Sequence, residues 1–195
     1  MLDSTRVEGI PLNGVYLNYE KGENYSADDE LLQRIVHVGR NRESQNLRER
    51  LKSHYVFRGR RSIFRNHVGT ALLTRDGRLK LLQNLPFKPS ETRKVTPLAR
   101  AAFPRFEDAI TEYMVTSFTF RYIEVEDRSY RKELEERLIY TLALCQGCVP
   151  SQNWLGKYAL NAGVKSGHLW NDQHTKKGKS VRPEDLDYLT SFAGH

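Results

Sequence analysis

Two helical segments of this sequence place charged residues on the side that their periodicity assigns to the protein interior. In Ser44–Tyr55, apolar residues at helical spacing centre a buried stripe on Leu47 and Leu51. His54 falls beside Leu47 in helical angle, and Arg50 lies at the edge of the stripe. A guanidinium that faces inward loses its hydration, so the fold has to give it a partner or a ligand.

The second such segment is Ser129–Cys145, which has a strong helical pattern. Leu138, Ile139 and Leu142 form its apolar stripe, and Glu135 lies in the middle of that stripe. A carboxylate in this position is unfavourable unless it is paired with a cation or binds a metal.

Two interpretations of these charges stay open from the helices alone. Arg50 and Glu135 can form a structural salt bridge. Alternatively, they belong to a site, because Tyr16 and His37 occupy strand positions that a small sheet brings toward the same region. A tyrosine, two histidines, an arginine and a glutamate exceed what one ion pair requires.

The order of segments predicts the α/β (α+β) class, with a small, mostly antiparallel three-stranded sheet flanked by helices. We expect strands at Gly14–Tyr19, Arg34–Val38 and Met114–Val125, and helices at Asp28–Gln33, Ser44–Tyr55, Ser62–Leu73, Ser129–Cys145 and Glu184–Phe192. One domain is expected over 1–195, with a core at about 11–158, a proline-broken insertion at about 70–113 and a helical extension at 159–195.

The amino-acid composition indicates which kinds of binding partner to expect. The chain has 31 basic and 24 acidic residues, a net charge of +7, which favours polyanions such as nucleic acid. No apolar run reaches the length of a membrane span, and the N-terminus lacks a secretory pattern, so we expect a cytoplasmic protein without a membrane partner. Cys145 and Cys148 lack a second pair at zinc-site spacing and are expected to be reduced thiols near a helix end.

Five short elements stand in an order that resembles the GIY-YIG nuclease family. They are Gly14-Val15-Tyr16, His37-Val38-Gly39, the helix Arg50-Leu51-Lys52-Ser53-His54, Glu135 with Leu138 and Ile139, and Pro150 with Asn153. The resemblance covers Pro11–Tyr158 and is interrupted by the insertion. His37 departs from the family pattern, in which a tyrosine is usual, and the interval from Glu135 to Pro150 is longer than that pattern.

The resemblance implies an endonuclease that hydrolyses phosphodiester bonds in DNA with one divalent metal, Mg²⁺ or Mn²⁺, and without an organic cofactor. It implies that Glu135 binds the metal and that Arg50 stabilises charge on the phosphate. Tyr16 is the implied base. Because an imidazole titrates near pKa 6.5, we hypothesise that His37 shares water activation with Tyr16, so that His37→Tyr keeps activity with an upward-shifted pH profile.

The remaining site residues are assigned more simply. His54 is expected to hydrogen-bond the phosphate or Tyr16, although a purely structural histidine is the alternative. Asn153 is expected to orient the site near Glu135. Basic side chains outside the core are candidate DNA contacts, or else solvated loops: Arg58, Arg60, Arg61, Arg65, Lys176 and Lys177.

Three functions remain open at this point. A restriction-like, sequence-specific endonuclease fits the compact size, with specificity from the insertion and the tail and with a homodimer to cut both strands. A structure-specific repair or recombination nuclease and a non-catalytic nucleic-acid-binding protein are the alternatives.

Overall fold

The computed structural model of this protein describes residues 9–27, 30–55, 62–82 and 92–191. Strands β1 (Gly14–Ala27), β2 (Glu30–Arg40) and β3 (Phe118–Glu124) form one antiparallel sheet in the order β2-β1-β3. The small antiparallel sheet and the α+β class expected from the sequence are confirmed.

Helices cover both faces of this sheet. The described residues form α1 (Leu47–Tyr55), α2 (Ile63–Arg75), α3 (Thr92–Ala102), α4 (Phe106–Ser117), α5 (Arg128–Leu144), α6 (Ala162–Gly167) and α7 (Pro183–Thr190), with 3-10 turns at Arg78–Leu82 and Leu155–Tyr158. None of these helices is long and apolar enough to cross a membrane.

Alternation along β1 sends neighbouring side chains into two separate cores. Tyr16 joins a large core that contains Leu47 and Leu51 of α1. Its neighbour Val15 joins a smaller core with Leu138 of α5. Helices α1 and α5 therefore lie on opposite faces of the sheet, and β2 runs along its free edge between them.

The β1-β2 hairpin is longer than the sequence predicted. The expectation of a short helix at Asp28–Gln33 is wrong, since β2 starts at Glu30 and Asn24 pairs with Gln33 across the hairpin. Asp28 itself lies outside the described residues. The acidic, polar composition of this stretch suits a solvent-facing hairpin tip as well as a helix, which explains the error.

The described part of the insertion is helical and packs on the large core. Val95 and Ala99 of α3 and Ile110 and Met114 of α4 are buried there. The strand predicted from Met114 starts only at Phe118, because the residues before it complete α4. Pro97 lies within α3, whereas Pro104 stands in the break between α3 and α4, and Pro86 and Pro89 lie outside the described residues.

The cysteine pair also differs from expectation. Cys145 and Cys148 do lie at the end of α5, but the structure joins them in a disulfide, so the prediction of two reduced thiols is wrong. Only two residues, Gln146 and Gly147, stand between them, which is close enough for a bond across the turn that follows the helix.

Candidate active site

A cleft of about 240 Å³ opens where the free edge of β2 meets α1 and α5. Its walls combine residues from both faces of the sheet and from a C-terminal loop. They include His37, Gly39 and Arg40 of β2, Arg50 of α1, Lys132, Glu135 and Glu136 of α5, and the loop Asn171–His174. The structure therefore brings Arg50, Glu135 and His37 to one cleft, as the sequence predicted.

Arg50 reaches this cleft with an unsatisfied hydrogen-bond donor. Its side chain is partly buried, and its Nε atom is fully buried with no hydrogen-bond partner among the described residues. Leaving a buried donor unpaired is unfavourable, and the guanidinium offers its donors in a fixed planar fork. An anion with several acceptor oxygens would satisfy it.

Tyr16 and His54 form a buried pair behind the cleft. The Tyr16 hydroxyl lies 2.7 Å from Nε2 of His54, whose Nδ1 lies 2.7 Å from the hydroxyl of Ser62. Burial raises the pKa of Tyr16, while the charge and a hydrogen bond of Arg50 act in the opposite direction. Burial and the nearby Arg50 hold the pKa of His54 well below its usual value, so this ring is neutral.

A glycine gives Tyr16 its position. A Cβ atom on Gly39 would stand 2.3 Å from both the hydroxyl oxygen and Cζ of Tyr16, so any larger residue would displace the phenol. Gly39 pairs with Tyr16 across the strands and also lines the cleft. The phenol hydroxyl therefore lies directly behind a residue that has no side chain to cover it.

His37 does not have the properties expected of a base shared with Tyr16. Its ring stacks on Phe64 with 4.2 Å between centroids, and its Nδ1 lies 2.9 Å from the side-chain amide nitrogen of Asn18. Burial, followed by the charge of Arg50, lowers its pKa to about 3. This ring starts far below the pKa near 6.5 that the sequence argument assumed, so it does not take up a proton near neutral pH.

Glu135 has an ion-pair partner that the sequence did not suggest. Its Oε2 accepts a hydrogen bond of 2.7 Å from Nε of Arg40, the last residue of β2. Burial raises the pKa of Glu135, and the charge and hydrogen bond of Arg40 oppose that rise. The charge of Arg50 also acts on this carboxylate. The Glu135 side chain is still 21% exposed toward the cleft.

The asparagine of the cleft is Asn171. Its side-chain oxygen accepts from the backbone N–H of Val38 at 3.0 Å, and its amide nitrogen donates to the Val38 carbonyl at 2.8 Å. The backbone N–H of the preceding residue, Trp170, donates to the Val36 carbonyl at 2.7 Å. The loop therefore closes the free edge of β2 beside the cleft.

Asn153, which the sequence predicted for this place, lies elsewhere and is exposed. Its backbone N–H bonds to the Ser151 hydroxyl, and Ser151 in turn bonds to Glu23 of β1. The structure does not bring Asn153 into the cleft: it is not among the residues that line the cleft, and the hydrogen bonds of its loop run to Glu23 of β1.

The predicted DNA-contacting residues have mixed outcomes. Arg58, Arg60 and Arg61 lie outside the described residues. Lys176 and Lys177 are exposed on the loop after His174 and stay candidates.

Arg65 does not extend a surface cluster. It is only 1% exposed, and its guanidinium donates to the His54 carbonyl, to Glu107 and to Thr111. It holds α2 against α1 and α4, so the prediction of a phosphate contact from this side chain is wrong.

A second, more basic cleft of about 430 Å³ adjoins the first. Its charged lining residues are Arg40, Arg42, Glu43, Arg128, Arg131 and Lys132. Arg40, Arg42 and Lys132 also line the first cleft, so the two are continuous. The sequence argument missed this surface, although the run Arg40-Asn41-Arg42 directly after His37-Val38-Gly39 is a signal that points to it.

Comparisons with known proteins agree with this geometry. A family model described as the GIY-YIG domain matches residues 1–194. The comparisons with curated proteins and with solved structures gave no match. The family match spans nearly the whole chain, and the family consists of endonucleases that hydrolyse phosphodiester bonds. The chain therefore belongs to the GIY-YIG family of endonucleases.

Proposed function

We propose that this nuclease is a metal-dependent DNA endonuclease that binds one phosphodiester group in the cleft between α1, β2 and α5. The observation that supports it most is the buried, unpartnered Nε donor of Arg50 in a cleft that also contains the Glu135 carboxylate. The Arg50 guanidinium and a carboxylate that can bind a metal face the same opening. This combination suits a substrate that gains negative charge as it reacts.

Arg50 serves the phosphate. Hydrolysis adds negative charge to the phosphoryl oxygens, and a guanidinium stays protonated at any physiological pH. The phosphate replaces the missing partner of Nε, so binding recovers the free energy that the free protein forgoes by burying this donor unpaired. The neutral His54 beside it adds no competing charge.

Glu135 is the residue that would hold a divalent metal. GIY-YIG nucleases generally depend on one. Mg²⁺ often takes only one or two protein carboxylates and fills its other positions with water and substrate phosphate. Glu135 fits this requirement because its carboxylate is a hard oxygen ligand. Oε2 accepts from Arg40, and Oε1 is the oxygen that would bind the metal. When bound, the metal supplies Lewis-acid stabilisation of the leaving oxygen.

Tyr16 orients the attacking water. Its hydroxyl lies behind Gly39, and the neutral His54 fixes its direction through the 2.7 Å contact. Burial keeps Tyr16 a phenol, an effect that the Arg50 charge opposes, so this group holds the attacking water by hydrogen bonding. The low pKa of His37 keeps its ring neutral and makes it a weaker base than the sequence argument assumed.

The basic second cleft carries the DNA strand away from the cut. Arg42, Arg128 and Lys132 line it with only one acidic neighbour, Glu43. Backbone phosphates bind such side chains without regard to sequence, and the contacts set the register of the strand. Lys176 and Lys177, exposed just after His174 of the first cleft, can extend this contact. We expect base readout from the insertion and the tail, as in a restriction-like enzyme.

The test is incubation of the purified chain with supercoiled plasmid and Mg²⁺. Discrete fragments support the restriction-like role, while cleavage limited to branched DNA supports repair or recombination. Chelation of the metal and Glu135→Gln should each abolish cutting, whereas Glu112→Gln, at an exposed position of α4, should not. An intact plasmid and intact branched DNA under all metal conditions would contradict the proposal.

A further inference from the structure

Three buried side chains form a hydrogen-bonded chain that ends at the cleft. The Tyr55 hydroxyl of α1 donates to Oδ1 of Asn18 on β1, and Nδ2 of Asn18 lies 2.9 Å from Nδ1 of His37 on β2. Tyr55 and Asn18 are 2% and 0% exposed. Neither side chain lines the cleft.

The direction of this chain follows from Tyr55. Burial raises the pKa of Tyr55 well above its usual value, so the group is a neutral phenol that carries a proton to donate. Its acceptor is Oδ1 of Asn18, which leaves the amide NH₂ of Asn18 facing His37. An NH₂ group can only donate, so Nδ1 of His37 has to be the acceptor.

A neutral imidazole that accepts at Nδ1 carries its proton on Nε2. Stacking on Phe64, with only 5° between the ring planes, fixes how the ring is turned. Nε2 lies on the side of the ring away from Asn18, and His37 lines the cleft. Because Asn18 occupies Nδ1, the Nε2–H group is the donor that this ring can offer to a substrate in the cleft.

We propose that Asn18 and Tyr55 are positioning residues that hold His37 in the Nε2–H tautomer, so that it donates a hydrogen bond to the phosphate or the attacking water. This inference rests on the proposed function and refines it. The low pKa of His37 agrees, because the ring stays neutral and its lone pair is occupied by Asn18.

Nitrogen NMR of protein labelled at histidine tests the tautomer without DNA or metal, since protonated and unprotonated ring nitrogens give well-separated shifts. In the wild type, we expect Nε2 of His37 to be protonated and Nδ1 to be unprotonated. A protonated Nδ1 would overturn the proposal. The result is independent of cleavage, so it separates a failure of this inference from a failure of the nuclease assignment.

Asn18→Asp provides the functional arm. The carboxylate accepts from Tyr55 and also from His37, so Nδ1 gains the proton and Nε2 loses it once the ring is neutral. Cleavage by this variant should then fall as the pH rises, with a midpoint equal to the His37 pKa measured by NMR. The wild type should show no such fall. A variant whose Nδ1 stays unprotonated, or whose profile follows the wild type, contradicts the proposal.

Other charged and titratable groups near His37 set where that midpoint lies. They are Tyr16 of β1, Arg50 and His54 of α1, His67 of α2 and Asp172 of the C-terminal loop. Asn153→Asp is the matched control, because it makes the same exchange at an exposed position and should leave the His37 signals unchanged.

Tyr55→Phe gives a second route if Asn18→Asp does not fold. Without the Tyr55 hydroxyl, the Asn18 amide is free to turn, and the His37 shifts should move toward the average of the two tautomers. Shifts identical to those of the wild type would show that Tyr55 does not orient Asn18 and would overturn its part in the proposal.

Discussion

The two ends of the β1-β2 hairpin each bury an arginine near a glutamate, but only one end is open to a ligand. At the far end, Glu23 accepts from Arg34 and from the backbone and hydroxyl of Ser151, and Arg34 also donates to the His168 carbonyl. At the near end, Arg50 keeps a buried donor without a partner among the described residues, and Glu135 faces the cleft.

The difference separates structural charges from functional ones. Glu23 and Arg34 are 3% and 2% exposed at their side chains, and together they anchor the loop around Ser151 to the hairpin. Arg50 lacks such a set of partners, which stability alone does not explain. Arg34, whose donors bond within the fold, anchors a loop, whereas Arg50 combines an unpaired donor with an opening that can admit a substrate.

Removing charge at the far end should have the largest effect, and it should act on folding. Glu23→Gln keeps the shape but leaves the Arg34 guanidinium buried without its counter-charge, so we expect a loss of about 3–5 kcal/mol in the free energy of unfolding. Urea denaturation measures it. Cleavage per folded molecule should stay unchanged. A drop in cleavage without a drop in stability would break the comparison.

Arg50→Ala should act mainly on cleavage and only slightly on folding. Loss of a donor to the developing charge raises the barrier by about 2.7–4 kcal/mol, a roughly 10²–10³-fold slower cut, as for other such donors. The free energy of unfolding should fall by no more than the roughly 1 kcal/mol typical of one hydrogen bond, the one between Arg50 and Tyr16, because Nε has no partner among the described residues. Single-turnover plasmid cleavage and urea denaturation of the same sample measure both quantities.

The control for Arg50→Ala is Arg121→Ala, at an exposed position of β3 that lines neither cleft, which should retain wild-type cleavage. If Arg50→Ala lowered the free energy of unfolding as much as Glu23→Gln does, Arg50 would be a structural residue like Arg34.

The two asparagines sharpen the comparison further. Asn171→Ala removes both hydrogen bonds to the Val38 backbone and should lower the free energy of unfolding by about 1–3 kcal/mol. Asn153→Ala, at the exposed position, should change it by less than about 0.5 kcal/mol. Thermal unfolding of the two variants in parallel measures the difference, and equal losses would contradict the assignment of Asn171.

A last prediction concerns pH. Between about pH 6.5 and the folded pKa of about 3, an unfolded chain protonates His37 while the folded one does not, so stability falls as the pH falls. His37→Phe keeps the stacking surface but cannot titrate. The difference in free energy of unfolding between wild type and this variant should therefore fall by up to about 1.4 kcal/mol for each pH unit. A constant difference over this range would reject the low pKa.

The sequence predicted the structure well where helical periodicity decides which way a side chain faces. Helical spacing predicted that Arg50 and Glu135 face inward, and both line the cleft. It also predicted the boundaries of α5 to within one residue. Short motifs on regular elements are predictable in this way because the element itself aims the side chain.

Pairings between distant segments were not predictable. Arg40, rather than Arg50, bonds to Glu135, because Arg40 alternates onto the α5 face of β2. Asn171 replaces Asn153 because Trp154 and Ser151 tie their loop to Glu20 and Glu23. These outcomes depend on how loops pack in three dimensions, which periodicity does not encode. The tautomer of His37 likewise depends on Asn18 and Tyr55, two residues outside every motif.

The bidentate grip of Asn171 on Val38 has a consequence for self-association. An edge strand with unpaired N–H and C=O groups recruits strands from other molecules. Here a single side-chain amide occupies both groups of Val38, and Trp170 occupies the carbonyl of Val36. A second copy therefore cannot add its own strand to the sheet at this point. If two copies cooperate to cut opposite DNA strands, they have to meet through another surface, which leaves this edge open to the substrate.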